Sequence, residues 1–216
     1  GQPRNDGLFQ KNDCREILGQ LFPDLPEYTK TVLYAPTFRD YGQVQLFPFK
    51  DFDQEQLEAF LEEKNMLLFI RTHVAEQGSA APYLGKRIRF LGNEQAEDVT
   101  GILNIFDCLI TDYSSIYIDY LLLDKPLLFY CYDYEHYLEN DREMYFNYED
   151  VTPGNKAKNF DELFKQICGV IENGDDYGRE EREKVKNMFY CKKGQGPVGN
   201  ILIDMMVKRE IGKNND

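Results

Sequence analysis

The chain reads as an α/β protein, a Rossmann-like parallel sheet flanked by helices. Three observations predict this. Short apolar runs suited to strands covered on both faces alternate with helix-sized amphipathic segments. The clearest run, Asp107 to Thr111, passes through an abrupt polar turn into an apolar-periodic segment that begins just after Ser114 and Ser115. A hydrophobic content of 42% over 216 residues suits one domain with a substantial core.

The elements follow in order. Residues 1–29 are rich in Pro, Asn, Asp and Gln and are expected to be a lead-in segment from a preceding domain, with a short helix from Cys14 to Leu21. Residues 30–216 are expected to form the Rossmann-like domain with a helical C-terminal part. Thr31 to Ala35 is a strand stopped by Pro36, and Phe52 to Lys64 an acidic amphipathic helix. Met66 to Arg71 and Ile88 to Leu91 are strands. Asp98 to Phe106 carries Val99, Ile102, Leu103 and Phe106 at helical spacing. The strand Asp107 to Thr111 leads to a helix from Ser115 to Leu123, and Pro126 to Cys131 is the fifth strand. Beyond it the pattern is helical: Asp161 to Glu172, Asp176 to Phe189, and Pro197 to Lys208. The polar stretch Asp141 to Asn159 is long for a loop, so it is expected to be functional or poorly ordered.

Ligands of doubly wound sheets sit beyond the carboxyl ends of the strands. The suggestive polar residues gather there: Thr37 and Arg39 after the first strand, Arg71 and His73 after the second, Ser114 and Ser115 after the fourth, Asp133 after the fifth. A helix start after a parallel strand offers free N–H groups and a positive dipole end, and two serines add hydroxyl donors for a phosphate. Their alternative role is to cap the helix. Arginine suits a diphosphate, and a nearby histidine can donate a hydrogen bond or move a proton. Thr37 and Arg39 either line a substrate cleft or tie down a loop through carboxylates such as Asp40. Asp112 is expected to orient the serine turn, Asp119 to be structural, and His136 to be a packed helix residue.

Composition narrows the classes. With 38 acidic against 25 basic residues the formal net charge is −13, which argues against nonspecific nucleic-acid binding and against a large basic membrane-docking surface. Lys86, Arg87 and Arg89 read as a solvated strand edge. Cys14, Cys108, Cys131, Cys168 and Cys191 are scattered, as expected of reduced thiols in the cytoplasm, and two histidines argue against a zinc site. No apolar run is long enough to span a membrane.

The motif D-x-L-I-T-D-Y-S-S-x-x-x-D-Y from Asp107 to Tyr120, followed by L-x-K-P-L-L-F-Y, resembles the CDP-glycerol glycerophosphotransferase family that builds teichoic-acid-type polymers. Four further pieces fit in order: G-x-P-R-N-D at Gly1 to Asp6, L-Y-A-P-T-F-R-D at Leu33 to Asp40, Arg71-Thr-His73, and D-x-x-x-Y at Asp133 to Tyr137. The resemblance implies one half of a GT-B-type glycosyltransferase fold. The chain would be its C-terminal donor-binding half, with a missing N-terminal half as partner. It implies transfer of glycerol phosphate from CDP-glycerol, or of ribitol or another polyol phosphate from a related CDP-polyol, to a polymer or lipid-linked acceptor. A nucleotide-binding module without turnover is the alternative. His73 is then the expected catalytic residue, Arg71, Thr111, Ser114, Ser115 and Arg142 the donor contacts, and Thr37, Arg39, Asp112 and Asp133 the substrate cleft. No metal or cofactor follows, and the parent protein is expected on the inner face of the cell membrane. The family's serine- and arginine-bearing tail is replaced here by the glycine-rich Gly194 to Gly199.

Overall fold

The computed structural model describes residues 2–11, 13–39, 44–140, 145–174, 178–190, 198–199, 202–203 and 205–207. Five strands form the sheet: β1 (Lys30–Ala35), β2 (Met66–Ile70), β3 (Ile88–Phe90), β4 (Cys108–Thr111) and β5 (Leu127–Phe129). All neighbours are parallel in the order β3-β2-β1-β4-β5. The chain order therefore reverses between β1 and β4, the place where such sheets open a crevice. All five expected strands are present, each within two residues of its expected ends.

Alternation along the strands builds two cores. Leu33, Leu67, Phe69, Leu109, Leu127 and Phe129 point to one face. Val32, Tyr34, Leu68, Ile70, Ile110 and Leu128 point to the other. Against the first face pack α1 (Cys14–Leu21), a 3-10 helix at Val99–Ile105, α3 (Ile116–Tyr120) and α7 (Arg179–Phe189). Against the second pack α2 (Gln54–Glu63) and α6 (Phe160–Cys168). Two shorter helices, α4 (Tyr134–Asn140) and α5 (Tyr148–Val151), lie after β5.

Local chemistry sets the helix ends. Asp53 caps α2 by accepting from the Gln56 amide at 3.0 Å. Asn159 caps α6 through the Glu162 amide at 2.8 Å, and Glu162 reaches back to the amide of Lys158, just ahead of the cap, at 2.8 Å. The expected helix from Ser115 to Leu123 tightens to 3-10 geometry at Leu121–Leu123. Asp124, at φ 51°, then ends it in the left-handed region ahead of Pro126.

Three expectations change. The helix expected at 98–106 is 3-10 rather than α, and Gly7 of a second 3-10 helix, Pro3–Phe9, approaches Gly101 so closely that a Cβ on Gly7 would sit 3.2 Å from the Gly101 Cα. The long polar stretch is not structureless: it contains α5 and a parallel bridge from Lys156 to Phe129. The basic cluster is only partly solvated, since Arg87 is buried and donates to Glu62, Asn65 and the Glu27 and Met66 carbonyls. The lead-in segment packs on the domain, with Leu8, Leu18 and Phe22 in the first core. No described helix is long and apolar enough to cross a membrane.

Phe69 is fully buried between Phe22 and Phe106, with ring centroids 5.4 and 5.6 Å away. Phe69→Ala should lower unfolding stability by about 3–5 kcal/mol, read as a shifted urea midpoint.

Candidate functional site

At the crevice between β1 and β4 the segments after β1, β4 and β5 are tied together by one buried cation. The Arg39 side chain is 1% exposed. It donates to Asp112 Oδ2 at 2.8 Å, to Asp133 Oδ2 and Oδ1 at 2.8 and 3.1 Å, and to the Thr37 carbonyl at 2.6 Å. The other Asp112 oxygen accepts from the Thr37 amide and hydroxyl at 2.8 and 2.7 Å and from the Tyr113 amide at 2.6 Å. The rings of Tyr113, Tyr137 and Tyr132 surround the guanidinium at 5.0, 5.2 and 5.4 Å. Burial works against the Arg39 charge, but its bonds to Asp133 and Asp112 override that and raise its pKa above the ordinary arginine value. Burial, with Cys131 and Asp133 nearby, likewise raises the Tyr113 phenol well above its usual range, so it stays a donor to Asp133 at 3.0 Å.

This cluster anchors the turn through its own hydrogen bonds. Thr37, Arg39, Asp112 and Asp133, expected as cleft residues, largely satisfy one another. Thr111, expected at the donor phosphates, is fully buried and gives its hydroxyl to the Ala35 carbonyl at 2.6 Å, where it joins β4 to β1. Arg71 is also drawn inward. Its guanidinium donates to the carbonyls of Ala96, Leu91 and Glu97 at 2.8, 3.2 and 3.2 Å and to Asn93 Oδ1 at 3.1 Å, closing the loop after β3. Burial lowers its pKa.

His73 lies after β2, and Ser114 and Ser115 lie between β4 and α3. His73 is exposed, its ring 5.1 Å from that of Phe38. Ser114 is half-buried and Ser115 exposed, and the Ser115 side chain makes no capping bond although it stands at the N-cap of α3. Because β1 lies between β2 and β4, the histidine and the serines are about two strand spacings apart, roughly 10 Å. His136 lies on α4 as expected but is exposed rather than packed. Arg142 falls outside the described residues.

One contributor had a motif but no assigned role. Arg4, from the G-x-P-R-N-D element, borders a cavity of about 370 Å³ together with Ser115, Gln2 and Tyr190. It pairs with Asp119 at 3.0 Å, and Asp119 also accepts from the Tyr190 hydroxyl at 3.2 Å, so Asp119 is structural as expected. Asp6 accepts from the Val198 and Gly199 amides, both at 2.7 Å. The described end of the glycine-rich tail is thus satisfied by a carboxylate of the same chain, and residues 191–197 lie outside the described residues.

The family described as CDP-Glycerol:Poly(glycerophosphate) glycerophosphotransferase matches residues 1–198. The chain belongs to this family. The teichoic acid ribitol-phosphate polymerase TarL of Staphylococcus aureus is 32% identical over 212 residues, covering 88% of this chain and 36% of that protein. The teichoic acid poly(glycerol phosphate) polymerase of Bacillus subtilis is 34% identical over 173 residues, covering 77% of this chain and 23% of that protein. Among solved structures, the wall teichoic acid polymerase TagF is 26% identical with a TM-score of 0.73, over 100% of this chain and 52% of that chain. The chain therefore spans between about a quarter and a half of the length of these relatives. Coverage of half of TagF agrees with the expectation of one half of a GT-B-type fold.

In this member of the family the buried cation gives a role to Arg39 of the P-T-F-R element and to Asp112 ahead of the serines, and Asp40 lies outside the described residues. Arg39→Ala, which would leave two carboxylates facing each other, should cost about 3–5 kcal/mol in urea unfolding. Arg39→Lys should recover only part of that, because an ammonium cannot bridge both carboxylates. Burial pushes the neighbouring Cys131 thiol up to about 12, so in the folded chain it should resist iodoacetamide at neutral pH and react on unfolding.

Proposed function

We propose that this chain is the donor-binding lobe of a polyol-phosphate transferase. The enzyme takes glycerol phosphate from CDP-glycerol and adds it to a teichoic-acid-like or capsule polymer, releasing CMP. The observation that carries this reading is the Ser114–Ser115 turn, half-buried at Ser114 and exposed at Ser115, anchored by the Arg39–Asp112 pair at the reversal point of the sheet. Family membership supplies the reaction class. Relatives named for glycerol phosphate and for ribitol phosphate are similar to the chain to nearly the same degree, so CDP-ribitol is the second donor to test.

The reaction needs little covalent chemistry from the protein. An acceptor hydroxyl attacks the phosphorus that bears the polyol, and the bond from that phosphorus to the bridging oxygen breaks. The oxygen leaves with its electron pair as CMP, and the hydroxyl proton passes to a base. Catalysis then rests on placing the diphosphate and on neutralising its charge. In this scheme the Ser114 and Ser115 hydroxyls and the turn amides hold the diphosphate, with Arg4 beside them. His73 donates to the oxygens of the leaving CMP. Arg71, Thr111, Asp112, Asp133 and Arg39 position the loops that carry these groups.

A non-catalytic nucleotide-binding module is the second reading. It is favoured by the Asp6 carboxylate on the tail amides, a position where a donor phosphate would otherwise find N–H groups.

Calorimetric titration with CDP-glycerol, CDP-ribitol, CDP and CMP tests the donor site. Saturable binding should weaken about tenfold to a hundredfold in the Ser114→Ala/Ser115→Ala variant, as expected for lost bonds to a charged group. His73→Ala should reduce turnover in the full-length enzyme more than it reduces binding. Unchanged donor affinity in the serine variant of a folded sample would remove the phosphate site from this turn.

A further inference from the structure

A second cleft, of about 670 Å³, opens beyond the carboxyl end of β5 and is lined in part by Lys50, Lys156 and Lys158. On a chain with a formal net charge of −13, three lysines in one cleft stand out electrostatically. The two carboxylates that share the cleft are already engaged. Asp51 accepts from the Phe160 and Asp161 amides at the start of α6, at 3.1 and 3.4 Å. Glu149 pairs with Lys156 at 2.9 Å. Lys50 and Lys158 are exposed and make no ion pair among the described residues.

The walls indicate what kind of anion fits. Phe49 packs on Tyr130 with ring centroids 3.9 Å apart, and Tyr134 on Tyr148 at 5.2 Å. These rings pack on one another at tilts of 30° and 42°, which leaves no flat stacked platform for a nucleobase. Separate ammonium groups along an open trough match singly charged phosphodiesters, whereas a compact diphosphate is better held by a guanidinium fork. Polyol hydroxyls can meet the phenolic edges of Tyr132 and Tyr134, both half-buried. The cleft also adjoins the serine turn. Tyr148 lines it and donates its hydroxyl to the Asp112 carbonyl at 3.2 Å, and Tyr132 lines it while facing Arg39.

We propose that this cleft holds the growing polyol-phosphate chain, with Lys50 and Lys158 pairing with its phosphodiesters. The inference rests on the reading of the chain as a polyol-phosphate transferase lobe and adds the place where the acceptor lies. Donor and acceptor then occupy neighbouring strand ends, with the Asp112 turn between them.

The test titrates the chain with synthetic oligo(glycerol phosphate) and oligo(ribitol phosphate), followed by NMR and at two salt concentrations, in parallel with CDP-glycerol and CDP-ribitol. Lys50→Glu/Lys158→Glu should weaken oligomer binding about tenfold and reduce its salt dependence. CDP-polyol affinity should be retained, and Lys86→Glu, at the opposite end of the sheet, should leave both unchanged. Equal oligomer affinity in the double variant overturns the proposal, as does absence of oligomer binding while CDP-polyol still binds. The latter result would leave the donor reading standing. Loss of CDP-polyol affinity in the double variant would assign the cleft to the donor nucleotide instead and overturn the acceptor site. Oligomer binding that needs the two lysines, without any CDP-polyol binding, would support the cleft while rejecting the donor reading.

Discussion

The Arg39 guanidinium, removed from water and bonded to two carboxylates, is the interaction on which the rest of the site depends. A charge in that position is costly unless every donor has an acceptor. Here its partners come from three strand ends, Thr37 after β1, Asp112 after β4 and Asp133 after β5. The cluster carries one positive and two negative formal charges. The negative excess is offset by the Thr37 and Tyr113 donors, while three tyrosine rings stabilise the cation. None of these loops can move far without leaving a buried charge unpaired. The serine turn is thereby held in place by groups that need not touch a ligand.

A similar device works at the chain's lead-in segment. Arg4 and Asn5 bind Asp119 and Tyr190, and Asp6 holds the amides at Val198 and Gly199. Residues far apart in sequence are stapled to the outer side of α3. Arg71 serves the loop after β3 in the same manner, through peptide carbonyls rather than carboxylates. Arginines in this protein act mainly as multi-pronged ties between loops, and the more exposed lysines are left to meet solvent or a ligand. That division follows from chemistry: a planar fork retains its hydrogen bonds when buried, and an ammonium is too strongly hydrated to be buried cheaply.

Two clefts at one sheet edge therefore differ in character. The turn after β4 presents hydroxyls and amides. The trough beyond β5 presents ammonium groups over a floor of mutually packed rings. They share a wall, the Asp112 turn, through the hydroxyl of Tyr148.

The sequence alone determined the sheet, because apolar runs and helix periodicity are local signals that burial on both faces makes unambiguous. The starts of α2 and α6 were legible only to within a residue or two, and the capping carboxylate of Asp53 and amide of Asn159 emerged with the structure. The sequence also determined which loops matter, since polar residues after parallel strands collect at one edge whatever the remaining topology. The tertiary structure alone decided which of those residues face solvent. Arg39, Asp112, Asp133 and Thr111 carry the same chemistry in sequence as Ser114 or His73, yet they are turned inward by partners 73 to 94 positions away for Arg39 and 76 for Thr111. The 3-10 form of residues 99–105 and the lysine trough were likewise invisible, because each depends on contacts between distant segments: Gly7 against Gly101, and Lys50 beside Lys158. Local pattern specifies where a chain bends and which face is apolar. Only the packed fold determines which charge is neutralised by which, because ion pairing depends on distance in space and not on order in the chain.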